Sequence, residues 1–149
     1  MNFLRVIMNF LPKKMSAIEI KKNGGPEVLT INDVPIPKIN SHDVLIKNNA
    51  IGVNRADCLQ RQGNYPVPKE SNQMLGLEVS GEIVQVGEGV KNLKYGDKVC
   101  ALTPGGGYAQ YSVSPYQHCF KIPKNLNFSQ SACIPEAAFT VYDNLFQQS

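Results

Sequence analysis

Residues 75–86 read Leu75-Gly76-Leu77-Glu78-Val79-Ser80-Gly81-Glu82-Ile83-Val84-Gln85-Val86, a long strand-type run with a glycine inside it. A glycine in a strand interior packs nothing of its own, so Gly81 marks a bulge or a place where a second backbone comes close. Shorter strand-type segments flank this run: 17–20, 28–34, 43–47 continuing through 50–53 with a kink at Asn48-Asn49, 99–102, 108–113 and 118–122. Turn residues separate them, drawn from ten prolines and twelve glycines. Pro35 and Pro37 keep the second segment out of a sheet centre. A mainly β (α+β) fold follows, with strands curling into a closed or half-closed barrel.

Helical signals are few. Residues 54–62 lack β-branched side chains and read as a short helix stopped by Gly63-Asn64-Tyr65-Pro66. Ser129 suits the cap of another. Pro135 suits the first position of a third, with Glu136 in its first turn. Ala138, Val141, Tyr142, Leu145 and Phe146 then share one helical face that no following segment covers.

Composition narrows the function classes. Fifteen basic and twelve acidic residues give a net charge of +3, and the lysines are scattered. Nucleic-acid binding leaves a denser basic footprint, so surface solubility is the reading and no nucleic-acid partner is expected. Cys58, Cys100, Cys119 and Cys133 form no Cys-x-x-Cys pair, so reduced structural thiols and a cytoplasmic location are expected. His42 and His118 form no ligand pattern. The apolar run in residues 1–11 is too short to span a bilayer and is followed, not preceded, by Lys13-Lys14. Residues 1–14 therefore read as an appended or mis-started segment, with the folded domain over 15–149. A weak amphipathic membrane tether is the rival for 1–14.

The chemistry-bearing residues fall in three pieces: Asn54-Arg55-Ala56-Asp57 with Gln60-Arg61-Gln62-Gly63-Asn64-Tyr65; Gly76-Leu77-Glu78-x-x-Gly81; and Pro104-Gly105-Gly106-Gly107-Tyr108-Ala109-Gln110-Tyr111, with Ile134-Pro135-Glu136-Ala137-Ala138-Phe139-Thr140 behind. In this order they resemble the quinone oxidoreductase branch of the medium-chain dehydrogenase/reductase superfamily, from about Met15 to the end. The resemblance implies a GroES-like half-open β-barrel, with its last helix leading toward a Rossmann domain that this sequence does not contain. It also implies NADPH as cofactor and a quinone or enone-like acceptor as substrate. Zinc members place a cysteine where Asn54 stands and a histidine where Leu77 stands, so no metal is expected.

By the same resemblance, Asn54 and Tyr65 are the candidate catalytic residues, since both donate hydrogen bonds to oxygen that gains charge as hydride arrives. Asn54 and Thr140 are the candidate cofactor contacts. Asp57, Tyr65 and Leu77 line the substrate pocket, and Glu78 lies beside the cleft. Each also has a plain structural reading. Asn54 suits a helix cap, Asp57 a first-turn charge or a partner of Arg55 or Arg61, and Tyr65 a loop aromatic. Thr140 suits a buried helix position, Glu78 a surface lysine's partner, and Leu77 an apolar wall. Gly105-Gly106-Gly107 is followed by a strand, which reads as a tight turn and not a phosphate loop. Two other readings stand beside the enzyme: a non-enzymatic remnant of a split gene that binds a partner, such as a separately encoded Rossmann domain, and a GroES-like co-chaperonin module.

Overall fold

A computed structural model describes residues 11–148; of the segment 1–14 read as an extension, residues 1–10 lie outside them, while Leu11 packs on a buried cluster and Lys14 opens the first strand. Strand β1 (Lys14–Ile20) pairs antiparallel with β2 (Leu29–Pro35) in a two-stranded sheet. β2 is thus an edge that tolerates Pro35. The main sheet has five antiparallel strands in the order β6-β3-β4-β5-β7. They are β3 (Asp43–Ile51), β4 (Glu78–Val86), β5 (Lys98–Leu102), β6 (Tyr111–Pro115) and β7 (Cys119–Lys121). Among the described residues, a short helix α1 (Arg55–Gln62) joins β3 to β4, and α2 (Phe128–Ser131) and α3 (Pro135–Tyr142) follow β7, the last running into a π-type turn at Asp143–Gln147. The curled sheet is the half-barrel that the strand pattern implies.

Alternation along β3 and β4 divides the interior. Val44, Ile46, Val79, Ile83, Val99 and Ala101 form one fully buried cluster. Leu45 leaves that set and joins Met15 and Tyr111 in a second, with Leu11, Val34 and Val113 packed against it. Each large apolar side chain buried this way contributes about 1.5–3 kcal/mol. Among the described residues no helix is long and apolar enough to cross a membrane.

Gly81 is the close approach, while the bulge sits opposite it. The β3–β4 register shifts between Asn48 and Ala50, where Asn48 faces Gly81 and Ala50 faces Ser80. A methyl group at Gly81 would collide with the Lys47 carbonyl. The long strand also begins later than the apolar run suggests, at Glu78. Gly76 has φ +99° and leaves the strand path to meet the glycine turn, where Gly107 N–H donates to the Gly76 carbonyl at 3.0 Å and Tyr108 N–H to the Leu75 carbonyl at 2.9 Å. Similarly, β6 starts at Tyr111, because Ala109 pairs with Ala17 of the other sheet.

The cap of α2 is Asn127, not Ser129. Its Oδ1 accepts from Gln130 N–H at 2.9 Å, and Gln130 Oε1 accepts from Asn127 N–H at 3.0 Å. This reciprocal pair outcompetes a serine placed two residues inside the helix. Pro135 does open α3. Among the described residues nothing covers the apolar face of α3 and the turn after it, with Val141 55% and Phe146 67% exposed.

Gly76 tests how far the fold depends on this turn. A Cβ there would lie 2.6 Å from the Tyr108 nitrogen and 2.7 Å from the Gly107 Cα, in a φ region that L residues disfavour. Gly76→Ala should lower stability by roughly 3 kcal/mol, read as a lower midpoint in urea with little change in slope.

Candidate functional site

The site grows from the first turn of α1. Asn54 precedes that helix in extended conformation, as a cap should. Asp57 stands at the third helical position, and its Oδ2 accepts from Asn54 N–H at 2.8 Å. The Asn54 side chain faces the Asp57 N–H in return, in the outline of a capping box, while that N–H donates to the Asn54 carbonyl at 3.2 Å.

Asp57 does far more than cap. It is 3% exposed. Its Oδ2 also accepts from the Tyr108 hydroxyl at 3.0 Å, and its Oδ1 accepts from Gly76 N–H at 3.1 Å. One carboxylate thereby joins α1, the entry to β4 and the glycine turn. Burial, followed by the proximity of Asp57, pushes the Tyr108 phenol far above its ordinary range, so it stays protonated as a donor. Neither neighbouring arginine partners Asp57. Arg55 is exposed, and Arg61 Nε donates to the Gly24 carbonyl at 3.1 Å.

A second buried carboxylate, Glu78 at 3% exposure, stands at the start of β4. Its Oε1 accepts from Asn54 Nδ2 at 3.0 Å and its Oε2 from the backbone N–H of Glu136 at 2.9 Å. Glu78 is therefore no surface lysine's partner; it ties the Asn54 amide to the first turn of α3. Gly52 makes room, since a Cβ there would overlap the Glu78 side chain. One turn further along α3, Thr140 Oγ1 donates to the Glu136 carbonyl at 2.8 Å, which leaves its lone pairs free to accept. Thr140 is exposed, not buried as the plain reading has it.

The structure thus links Asn54, Asp57, Glu78 and Thr140 through one chain of hydrogen bonds. Tyr65 stands apart, beyond the C-terminus of α1. It is 38% exposed, and among the described residues its hydroxyl has no hydrogen-bond partner. Leu77 is half-buried, and its carbonyl accepts from Thr103 N–H at 2.7 Å. The described residues contain no group of three or more His, Cys, Asp or Glu arranged to hold a metal ion. Sequence reasoning places Glu78 beside the cleft without a role and passes over Tyr108; both act through partners 20 or more positions away, which no local spacing encodes.

The acids gather near α3. Burial first, then Glu78 and Asp57, raise the Glu136 carboxyl above its usual value. Elsewhere, burial pushes the Cys119 thiol up to about 11 and also raises Cys100, as suits unreactive structural thiols. Because the folded state holds the Glu136 proton more tightly, stability should fall as pH rises from the ordinary glutamate value through the raised one. Glu136→Gln should remove that loss. It should raise stability at pH 7 by less than about 1 kcal/mol, given solvent screening of a half-buried group, and leave it unchanged near pH 3; thermal melts at both pH values check this.

Comparison with known proteins agrees with this architecture. Residues 40–124 match the alcohol dehydrogenase GroES-like domain. The chain is 39% identical over 139 residues to the quinone oxidoreductase of Rattus norvegicus, covering 92% of this chain and 42% of the rat protein. Among solved structures, the human synaptic vesicle membrane protein VAT-1 homolog-like protein superposes with a TM-score of 0.84 at 30% identity, over 91% of this chain and 44% of that one. The Escherichia coli quinone oxidoreductase complexed with NADPH superposes at 0.76 with 31% identity, over 89% and 41%. The chain spans about two fifths of the length of these relatives. It belongs to the alcohol dehydrogenase GroES-like domain family and corresponds to the N-terminal part of its quinone oxidoreductase relatives.

Proposed function

We propose that this chain is the catalytic-domain portion of an NADPH-dependent quinone oxidoreductase, which passes hydride to a quinone or enone-like acceptor without zinc, in the cytoplasm. The observation that carries this reading is the convergence of Asn54 and the first turn of α3 on the Glu78 carboxylate. It brings two candidate cofactor contacts, Asn54 and Thr140, onto one hydrogen-bonded chain.

The residues present suit the nicotinamide end of NADPH. The Asn54 amide and the Thr140 hydroxyl are uncharged and polar, matching a carboxamide and ribose. The phosphates are another matter. Asp57, Glu78 and Glu136 lie close enough for the first two to raise the third, and three carboxyls repel a pyrophosphate. The phosphate end must then be held by a different part of the enzyme, which accords with relatives more than twice as long. When bound, NADPH supplies the hydride. The chain's own residues orient it and stabilise charge. Asn54 holds one N–H on Glu78 and has a second to offer an acceptor oxygen. Tyr65, with its hydroxyl unengaged, donates to the quinone oxygen as charge builds there. Leucine at 77 has no donor atom for a metal, and the Asn54 amide nitrogen is committed to Glu78.

A second reading rests on the exposed face of α3 and the turn that follows it, where Val141, Tyr142, Leu145 and Phe146 are each more than half exposed. It makes the chain a partner-binding β domain without catalysis of its own. Titration with NADPH and a simple quinone, with and without a supplied Rossmann domain, separates the two. Turnover in the mixture supports the enzyme; none in either supports the binding domain. In the active mixture, Tyr65→Phe should cut turnover by about 10²-fold, as loss of an oxyanion donor does elsewhere. An unchanged rate removes Tyr65 from the site.

A further inference from the structure

Asn54 is an amide, and its two ends differ only in which atom donates. What sets them is Glu78. A buried carboxylate flanked by a backbone N–H accepts and cannot donate, so it selects the Nδ2 end of Asn54 at 3.0 Å while Glu136 N–H fills its other oxygen at 2.9 Å. The groups that face it are Asn54 before α1, Glu136 on α3, and Cys100 on β5, whose thiol is raised by burial and by Glu78. Among the described residues Glu78 has no salt-bridge partner. Glu78 is therefore satisfied only while Asn54 presents its nitrogen and α3 presents its first turn.

We infer that Glu78 is the positioning residue for the proposed reaction: it fixes Asn54 as a donor and holds α3, with Thr140, in register with it. This inference rests on the functional reading above for its consequence in catalysis, but its geometric half stands independently. Glu78 touches neither cofactor nor substrate; it acts through residue 54 and through the helix.

The polarity of the pair makes a reciprocal exchange possible. Glu78→Gln can keep Glu136 N–H on its carbonyl oxygen, but its NH2 then meets Asn54 Nδ2 donor against donor unless Asn54 turns over and presents Oδ1, which removes the fixed donor. Asn54→Asp puts a carboxylate opposite a carboxylate. In the double variant N54D/E78Q, the carbonyl end of the new amide at position 78 accepts from Glu136 N–H. Its NH2 end donates to the new carboxylate at position 54, so the network closes again with reversed polarity.

The test is a thermal-stability cycle on the full chain, with NADPH titrated onto each variant alongside the Rossmann domain. Asn54→Asp should lower Tm most, by setting carboxylate against carboxylate, Glu78→Gln should lower it less, and the double should recover most of the Asn54→Asp loss. Losses that simply add overturn the clamp. The recovered double variant should still bind NADPH at least tenfold more weakly than the unmodified chain, because residue 54 no longer offers an N–H. Unimpaired binding by that variant overturns the assignment of Asn54 as a positioned donor. Absence of NADPH binding by the unmodified pair would instead count against the functional reading, and the stability cycle would still decide the clamp. Should the single variants fail to fold, nuclear Overhauser contacts between the Asn54 side-chain NH2 and the Glu78 γ-methylene in the unmodified chain decide it: their presence supports the clamp and their absence overturns it.

Discussion

The Asp57 carboxylate is buried and, among the described residues, forms no salt bridge, and the architecture around the site follows from how it is satisfied. Burying an acid this deeply is costly unless hydrogen bonds replace its water. Three neutral donors do so: Asn54 N–H, Gly76 N–H and the Tyr108 hydroxyl. Each comes from a different segment. The turn that delivers Gly76 needs a glycine at positive φ, and that glycine packs directly on Gly107. Helix α1, the mouth of β4 and the glycine turn are thus one unit, held at the N-terminal end of the sheet's central strand.

Glu78 repeats the device at the first position of β4, with Asn54 and the α3 backbone as donors. Two buried acids solvated by dipoles leave the region negative and add to burial in raising the Glu136 carboxyl. Such a field suits neutral or cation-like groups and disfavours phosphates. On the proposed reading, the surface formed by this chain is one wall of a cofactor site, with uncharged donors that orient a ligand more than grip one.

Much of the fold is legible in the sequence because it is written locally. Gly81 inside a strand run announces a close approach, Asn48-Asn49 announces the β3 kink, and Pro135 announces the start of α3. The errors are also local in kind. Ser129 resembles a cap, yet Asn127 and Gln130 form the reciprocal pair; residues 75–77 resemble strand, yet Gly76 turns away. The site is half legible. Asn54 and Asp57 stand out at cap spacing, but Asp57 pointing inward to Tyr108, 51 residues away, is set by tertiary closure. Glu78 is in the same position: its partners lie 24 and 58 residues away. Hydrophobic periodicity carries no information about which buried acid meets which donor.

The direct measurement of this account is native-state hydrogen exchange at the Gly76 amide, which has no partner in a strand ladder and donates only to Asp57. If the buried carboxylate holds the site together, that amide should exchange as slowly as the amide of Val79 in the core of β4, through global unfolding. Exchange at the rate of an exposed loop would contradict it.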